Sequence, residues 1–209
     1  MKTANPIKIL DAISFVADVE FTATASLITS ASHGLKQNTI IKVASDDTLP
    51  AGLNASAYYY VVNVTTNTFQ VATEKDGVPV AITDAGTGTH TYTVQGAQNP
   101  CFVDGFRHTE LELVSDEATN DFTVKIAISD QEDMPNFNAS ASETNRWSYA
   151  QIKDLADGSS VNGATGITVS GTIHRLFEIN SNKIRWVCPI VSSYVAGDLT
   201  SLINLADED

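Results

Sequence analysis

The 209-residue sequence predicts an all-β protein: an antiparallel, jelly-roll-like β-sandwich that carries an inserted small β-domain. Thr, Val, Ser, Ile and Asn dominate, and no long stretch repeats apolar residues at the i, i+3, i+4, i+7 spacing of an amphipathic helix. Apolar and polar residues alternate instead, most clearly where Phe122, Val124 and Ile126 are separated by single residues. Such runs are separated by turns that contain Gly, Pro and Asp, which is typical of antiparallel sheets.

Residues 172–194 contain the clearest of these patterns. A first run at 173–179 and a second at 184–190 are rich in Ile and aromatic residues, and the residues at 180–183 between them are polar. Two β-rich runs around a polar turn predict a β-hairpin with a longer loop. Trp186, in the middle of the second run, is predicted to lie in the core.

The other strands are predicted in chain order from the same alternation between turn-forming residues. Residues 21–94 differ in composition, being rich in Thr, Ala and Val, and are expected to form a compact module of short strands. Residues 129–148 are predicted to be a long polar loop. The remaining predicted strands are 7–16, 39–43, 58–64, 68–72, 78–82, 90–94, 109–114, 122–128, 150–155 and 199–205.

Residues 21–94 also contain a series of short motifs. They are Ser-His-Gly-Leu at 32–35, Leu-Pro-Ala-Gly-Leu at 49–53, Tyr-Tyr-Val-Val at 59–62, Asn-Thr-Phe-Gln-Val at 67–71 and Asp-Ala-Gly-Thr-Gly-Thr-His at 84–90. In combination these motifs resemble a small β-module that recurs in tailed-phage structural proteins. The resemblance implies a virion surface or tail context and does not imply an enzymatic activity.

The flanking residues contain a second series: L-D-A-I at 10–13, G-F-x-H at 105–108, N-x-W-x-Y at 145–149, D-L-x-D-G at 154–158 and N-x-I-R-W-V at 182–187. These too resemble phage structural proteins, in which the first two motifs lie close together. Here about 90 residues separate them, and residues 7–13 are too short to form a domain alone. The predicted domains are therefore a virion-anchoring β-sandwich of residues 1–20 and 95–209, and an inserted β-module of residues 21–94.

The charge balance limits the partners. The sequence has 12 Lys and Arg against 25 Asp and Glu, a net charge of −13. Such a surface repels phosphate groups, so no direct nucleic-acid contact is expected. No segment approaches the ~20 apolar residues that span a bilayer, so no membrane contact is expected. Cys101 and Cys188 fit no metal-ligand spacing and are expected to be reduced core residues.

No catalytic motif is recognisable, because the sequence lacks a GxSxG elbow, an HExxH pair, a P-loop and a dinucleotide fingerprint. No enzyme activity, catalytic residue or cofactor is predicted. His33 and His90 could form a two-His metal site if the inserted module brings its ends together, and hydrogen bonding in turns is the alternative. Acidic clusters at 46–47, 130–133 and 154–157 could bind Ca²⁺, but none follows the EF-hand pattern. Solvated loop charge is the default, and no metal site is predicted.

Aromatic residues in or near loops are the candidate contacts with a partner or ligand. Trp147 and Tyr149 are two residues apart and lie on one face if that segment is extended. Their rings could stack on a sugar, or they could anchor the long loop. The candidate contact residues are Phe137, Trp147, Tyr149, Tyr58 and Tyr59.

Two functions are compatible with these features. The first is a non-enzymatic bacteriophage virion structural protein, either a capsid decoration protein or a tail or neck subunit. It would attach through its β-sandwich, project the inserted module, and contact further copies of itself and other virion proteins such as the major capsid or tail proteins. Its location would be the virion, after assembly in the host bacterial cytoplasm. The alternative is a glycan-binding adhesion module that recognises the host cell surface.

Overall fold

The computed structural model describes residues 2–3, 7–14, 19–96, 100–138 and 146–207. These residues form an all-β fold with antiparallel pairing, which confirms the predicted fold class. The described residues contain no helix that is long and apolar enough to cross a membrane. The chain divides into two compact units, the first formed by Met1–Phe15 with Asn99–Asp209 and the second by Val16–Gln98.

The strands are numbered along the chain. The first unit begins with β1 (Lys2–Thr3) and β2 (Ile7–Ser14). The second unit contains β3 (Val19–Thr24), β4 (Leu27–Thr29), β5 (Ile40–Ser45), β6 (Tyr59–Val62), β7 (Thr68–Ala72) and β8 (His90–Gly96). The first unit then continues with β9 (Cys101–Phe102), β10 (His108–Ser115), β11 (Asp121–Ser129), β12 (Ser148–Tyr149), β13 (Gln151–Asp154), β14 (Ser160–Asn162), β15 (Ile167–Ser170), β16 (Ile173–Asn180), β17 (Trp186–Ala196) and β18 (Asp198–Asp207).

The first sheet of the first unit has the strand order β1-β18-β10-β16-β13-β14, and β2 also pairs with β18. Burial alternates strictly along β10, where Leu111 and Leu113 are fully buried. Phe177 and Ile179 of β16 lie directly opposite Leu111 and Thr109 and are also buried. One face of this sheet is therefore core, and the other carries polar or partly exposed side chains.

The second sheet of the first unit is built around β11. β17 pairs along one edge of β11, β15 and β12 pair along the other, and β9 pairs with the start of β17. Phe122, Val124 and Ile126 of β11 and Val187 and Val191 of β17 are buried. Each sheet thus buries one face within a single unit, which is the arrangement of a β-sandwich.

The predicted hairpin at 172–194 is wrong, because its two strands belong to different sheets. β16 pairs with β10 and β13, whereas β17 pairs with β11 and β9. Residues 181–185 therefore cross from one sheet to the other. Ser181 in this crossing is buried, and its hydroxyl donates to the Phe106 carbonyl oxygen at 3.0 Å. A short polar segment suits a crossing between sheets as well as a hairpin turn, so the local pattern did not distinguish the two.

The second unit is a six-stranded β-barrel in the order β8-β3-β4-β7-β6-β5, closed by pairing of β5 with β8. Ile28, Ile41 and Phe69 are fully buried and share the inward face of the barrel. The Phe69 ring packs edge-on against Tyr92 and His33, with centroids 5.6 Å and 5.0 Å apart. Because the sheet closes on itself, its inward-facing side chains pack against one another and form the core of this unit.

Strands β5 to β8 overlap strands predicted for this module, but the predicted strand at 78–82 is absent. Val78 there is 88% exposed, and Pro79 cannot donate a ladder hydrogen bond. The β3–β4 hairpin was not predicted. Its turn residues Ala25 and Ser26 both have positive φ, 50° and 66°, without the Asn or Gly that normally signals such a turn.

Candidate functional site

Of the long loop predicted at 129–148, residues 139–145 lie outside the described residues, and the two described parts are joined by an aromatic stack. The rings of Phe137 and Trp147 are nearly parallel, at 15°, with centroids 5.0 Å apart. The indole N–H of Trp147 donates to the Pro135 carbonyl oxygen at 2.9 Å. Both rings are partly buried. The structure thus brings together two of the predicted contact residues, and it supports the interpretation that Trp147 anchors the loop.

Trp186 holds the same loop at its other described end. Its indole N–H donates to the Gln131 carbonyl oxygen at 3.1 Å, and its ring packs edge-on against Phe102, 4.9 Å between centroids. The prediction that Trp186 lies in the core is wrong, because the residue is only partly buried at the first position of β17.

Phe102 is a surface aromatic that was missed from the sequence. It is 48% exposed and lies directly opposite Trp186 in the β9–β17 pairing. Its neighbours Cys101 and Val103 are buried. The alternation of a strand therefore directs Phe102 to the opposite face, and this two-residue period is the signal that could have identified it.

A further partly exposed aromatic residue, Tyr149, lies on β12, two residues after Trp147. It pairs with Ala127 and is 44% exposed. The Lys125 ammonium lies 5.9 Å from the centre of its ring, within the range of a cation–π contact. Partial burial raises the pKa of Tyr149, and the nearby Cys188 thiol raises it further. We call Phe102, Phe137, Trp147, Tyr149 and Trp186 the aromatic surface of the first unit.

The other two predicted contact residues belong to the barrel. Tyr59 is 2% exposed, and its hydroxyl oxygen accepts the Asn54 N–H at 2.8 Å. Burial raises the pKa of this tyrosine. Its ring fills the barrel interior and is not presented to a partner. Tyr58 is partly exposed, and the Lys42 ammonium lies 4.4 Å from the centre of its ring.

The two histidines of the possible metal site have other partners. The ring nitrogens of His90 are within hydrogen-bonding distance of the Ser45 hydroxyl, at 3.0 Å, and the Ala85 carbonyl oxygen, at 2.8 Å. His33 accepts the Leu35 N–H through Nδ1 at 3.0 Å. These contacts agree with the alternative interpretation, hydrogen bonding in turns and at strand edges, although the buried His33 Nε2 has no hydrogen-bond partner among the described residues. Within the residues that the structure describes, no three His, Cys, Asp or Glu side chains cluster as metal ligands would.

The acidic clusters also have structural partners. Asp46 and Asp47 accept hydrogen bonds from the Thr89 N–H and the Thr87 hydroxyl, at 2.7 Å and 2.8 Å. Asp154 is fully buried and pairs with the guanidinium of Arg175. These carboxylates stabilise turns and strand ends by these contacts.

Both cysteines are buried, and neither forms a disulfide, as expected. Burial raises the pKa of the Cys101 thiol to about 11, which keeps it protonated at neutral pH. A protonated, buried thiol is a poor nucleophile, so Cys101 behaves as a small core residue.

The aromatic surface is suited to apolar contact with a partner, because its side chains are rings rather than nucleophiles, acids or bases. Both indole N–H groups are already bonded to loop carbonyl oxygens, so the exposed parts of the rings present mainly carbon to a partner. Partly exposed Trp, Tyr and Phe side chains are enriched where proteins bind each other. Comparison of the chain with protein-family models, with curated proteins and with solved structures finds no match.

Proposed function

We propose that the chain is a non-enzymatic structural subunit of a tailed-phage particle, either a capsid decoration protein or a tail or neck subunit. It attaches through the β-sandwich of its first unit and carries the barrel as a projecting module. Its partners are further copies of itself and other virion proteins such as the major capsid or tail proteins. It is located in the virion, after assembly in the host bacterial cytoplasm.

One observation carries this proposal: the two series of motifs fall in different units. The motifs at 32–35, 49–53, 59–62, 67–71 and 84–90 all belong to Val16–Gln98, and the motifs of the second series all belong to the other unit. Each resemblance to phage structural proteins therefore covers one compact body rather than fragments of both. The motif at 49–53 also has a physical requirement, since Gly52 has φ of 104° and a Cβ there would collide with the Ala81 carbonyl oxygen.

The aromatic surface supports the choice of the first unit as the attachment part. Phe102 is the most exposed of its rings and packs on Trp186, which is in turn bonded to the loop. A ring that is fixed in place before binding loses little side-chain entropy when a partner covers it. Such rings contribute strongly at protein interfaces.

Reattachment to particles tests the proposal. Particles stripped of this subunit are mixed with the purified wild-type chain, Phe102→Ser or Val195→Ser. Val195 is an exposed apolar residue of the same unit, at 67%, and serves as the matched control. We expect Phe102→Ser to weaken attachment by about 30-fold, the equivalent of about 2 kcal/mol for a central interface residue, and Val195→Ser to behave as wild type.

Three results would contradict this assignment. Wild-type attachment of Phe102→Ser, or equal loss for both variants, would mean that attachment does not depend specifically on the aromatic surface. Binding of the wild-type chain to host envelopes but not to stripped particles would favour the alternative, a glycan-binding adhesion module.

A further inference from the structure

The outward face of the first sheet in the first unit carries a row of charged and amide side chains. Lys153 of β13 lies directly opposite Glu178 of β16, and His108 of β10 lies directly opposite Asn180 of β16. The alternate residues of the same strands, such as Ile179, are buried in the core. Strand periodicity therefore directs the charged and amide groups to solvent.

These side chains border a concave pocket. It has a volume of about 460 Å³, within the size range of small-ligand sites. Its polar lining is formed by Arg107, His108, Gln151, Lys153, Ser160, Glu178 and Asn180. The pocket lies wholly within the first unit and includes none of the residues of the aromatic surface.

Three charged side chains of this pocket have no partner within the part of the chain that the structure describes. Among the described residues, Arg107, Lys153 and Glu178 make no ion pair and no side-chain hydrogen bond, although Lys153 and Glu178 are neighbours across the ladder. Glu178 also lies directly opposite Glu110 on its other side. Like charges placed opposite each other in a sheet are destabilising. The repulsion between Glu110 and Glu178 is therefore not offset by an ion pair with Arg107 or Lys153 among the described residues.

We propose that this pocket binds an acidic saccharide, a sugar that carries a carboxylate together with several hydroxyl groups. Arg107 and Lys153 would bind the carboxylate through charge-assisted hydrogen bonds. The Gln151 and Asn180 side chains can donate hydrogen bonds to sugar hydroxyl groups and accept hydrogen bonds from them. The Glu178 carboxylate can accept hydrogen bonds from the same hydroxyl groups. The two cations lie in a protein of net charge −13, so they form a local attraction for an anion that the overall charge would otherwise repel.

An acidic peptide fits the same pocket less well. A run of Asp or Glu side chains would bring carboxylates close to Glu178 and would lack the hydroxyl groups that Gln151, Glu178 and Asn180 can bind. Peptides commonly bind sheets by adding a strand to an edge. The pocket instead lies on a sheet face, where the backbone groups of β10, β13 and β16 are engaged in their own ladders.

The inference does not depend on the virion assignment, because a saccharide pocket on the first unit requires only the residues named above. The test is a calorimetric titration of the purified full chain with short oligomers of galacturonate, glucuronate and mannuronate and with sialylated oligosaccharides. Arg107→Gln and Lys153→Gln are the test variants. Lys36→Gln removes the same charge from an exposed lysine of the other unit and is the control.

We expect at least one acidic saccharide to bind, and each test variant to weaken it by about tenfold, as loss of a charge-assisted hydrogen bond would. The control should bind as wild type, and added salt should weaken wild-type binding. Failure of the whole panel to bind would overturn the proposal. Equal binding of neutral oligosaccharides would also overturn it, as would stronger binding of a poly-glutamate peptide. Unlike the particle test, none of these outcomes involves Phe102.

Discussion

Replacement of Arg175 by Met should destabilise the first unit strongly. Asp154 is fully buried, and the Arg175 guanidinium is the cation that pairs with it. Among the residues that the structure describes, the other Asp154 carboxylate oxygen accepts one hydrogen bond, from the Ala156 N–H at 2.9 Å. Met keeps the unbranched apolar stem of Arg but has no guanidinium, so the variant removes the cation and leaves a buried carboxylate without it.

The expected cost follows from burial. Breaking a buried ion pair by removing one partner costs about 3–5 kcal/mol, because the remaining charge stays desolvated. The Arg175 side chain is 40% exposed, so water can partly replace it and the expected cost is about 3 kcal/mol. The Arg185–Asp104 pair is the matched control, since both of its side chains are exposed, at 38% and 45%. Arg185→Met should cost less than about 1 kcal/mol.

Urea unfolding followed by tryptophan fluorescence measures both variants. The two Trp residues, Trp147 and Trp186, lie in the first unit, so the signal reports on that unit alone. A loss of 3 kcal/mol corresponds to a midpoint lowered by about 1–3 M urea for ordinary m-values. The double variant with Asp154→Asn should recover part of the loss, because the buried charge is then gone. Equal midpoints for Arg175→Met and Arg185→Met would refute the argument from burial.

Four further outcomes are expected. Trp186→Ala and Trp147→Ala should each lower stability by about 1–3 kcal/mol, less than a core Trp, since each loses one hydrogen bond and a partly buried ring; a loss above 4 kcal/mol in circular-dichroism melts would indicate full burial. The Asp84 pKa is lowered by the Ala51 and Gly86 N–H groups, so its stabilisation is present above the unfolded pKa near 3.8 and is lost as pH falls through the lower, folded value. Asp84→Asn, which accepts hydrogen bonds but does not titrate, should flatten that acid-side loss, and an unchanged pH profile would contradict this. Excision of residues 19–98 with a short Gly/Ser bridge should leave a soluble chain that melts cooperatively, and aggregation would mean that the barrel is needed for the first unit to fold. The wild-type chain should show no hydrolysis of polysaccharide or peptidoglycan, and turnover abolished by one carboxylate substitution would contradict a purely structural role.

The strands that could be predicted are those in which one face is buried by a single partner layer. In β10 the Leu111 and Leu113 side chains alternate with Glu110 and Glu112, and the alternation predicts both the strand and its buried face. In β7 the predicted bounds and the observed bounds agree. Two-residue periodicity is a local property, so it survives without knowledge of the partner strands.

What could not be predicted is which strands become neighbours. The polar residues between β16 and β17 fit a hairpin turn, but they connect the two sheets. The choice depends on whether the strand that completes each sheet comes from nearby or from far along the chain. Here β10, which flanks β16, and β11, which flanks β17, both precede them by many residues. The sequence pattern within about twenty residues does not show which distant strand will pair with a given strand.

The sequence pattern also could not show which aromatic residues are buried and which are exposed to a partner. Tyr58 and Tyr59 are adjacent and equivalent in the sequence pattern, yet Tyr58 lies partly exposed beside Lys42, just before β6 begins, whereas Tyr59 is the first residue of β6 and is buried. Trp186 was predicted to be a core residue because it lies in the middle of the run at 184–190, on the same face as Ile184 and Ile190. Its exposure follows from its position at the strand end, where its indole N–H reaches the Gln131 carbonyl oxygen of a loop 55 residues earlier in the chain. Whether a ring is core or contact surface therefore depends on closure and register, which are properties of the whole sheet rather than of the residue and its neighbours.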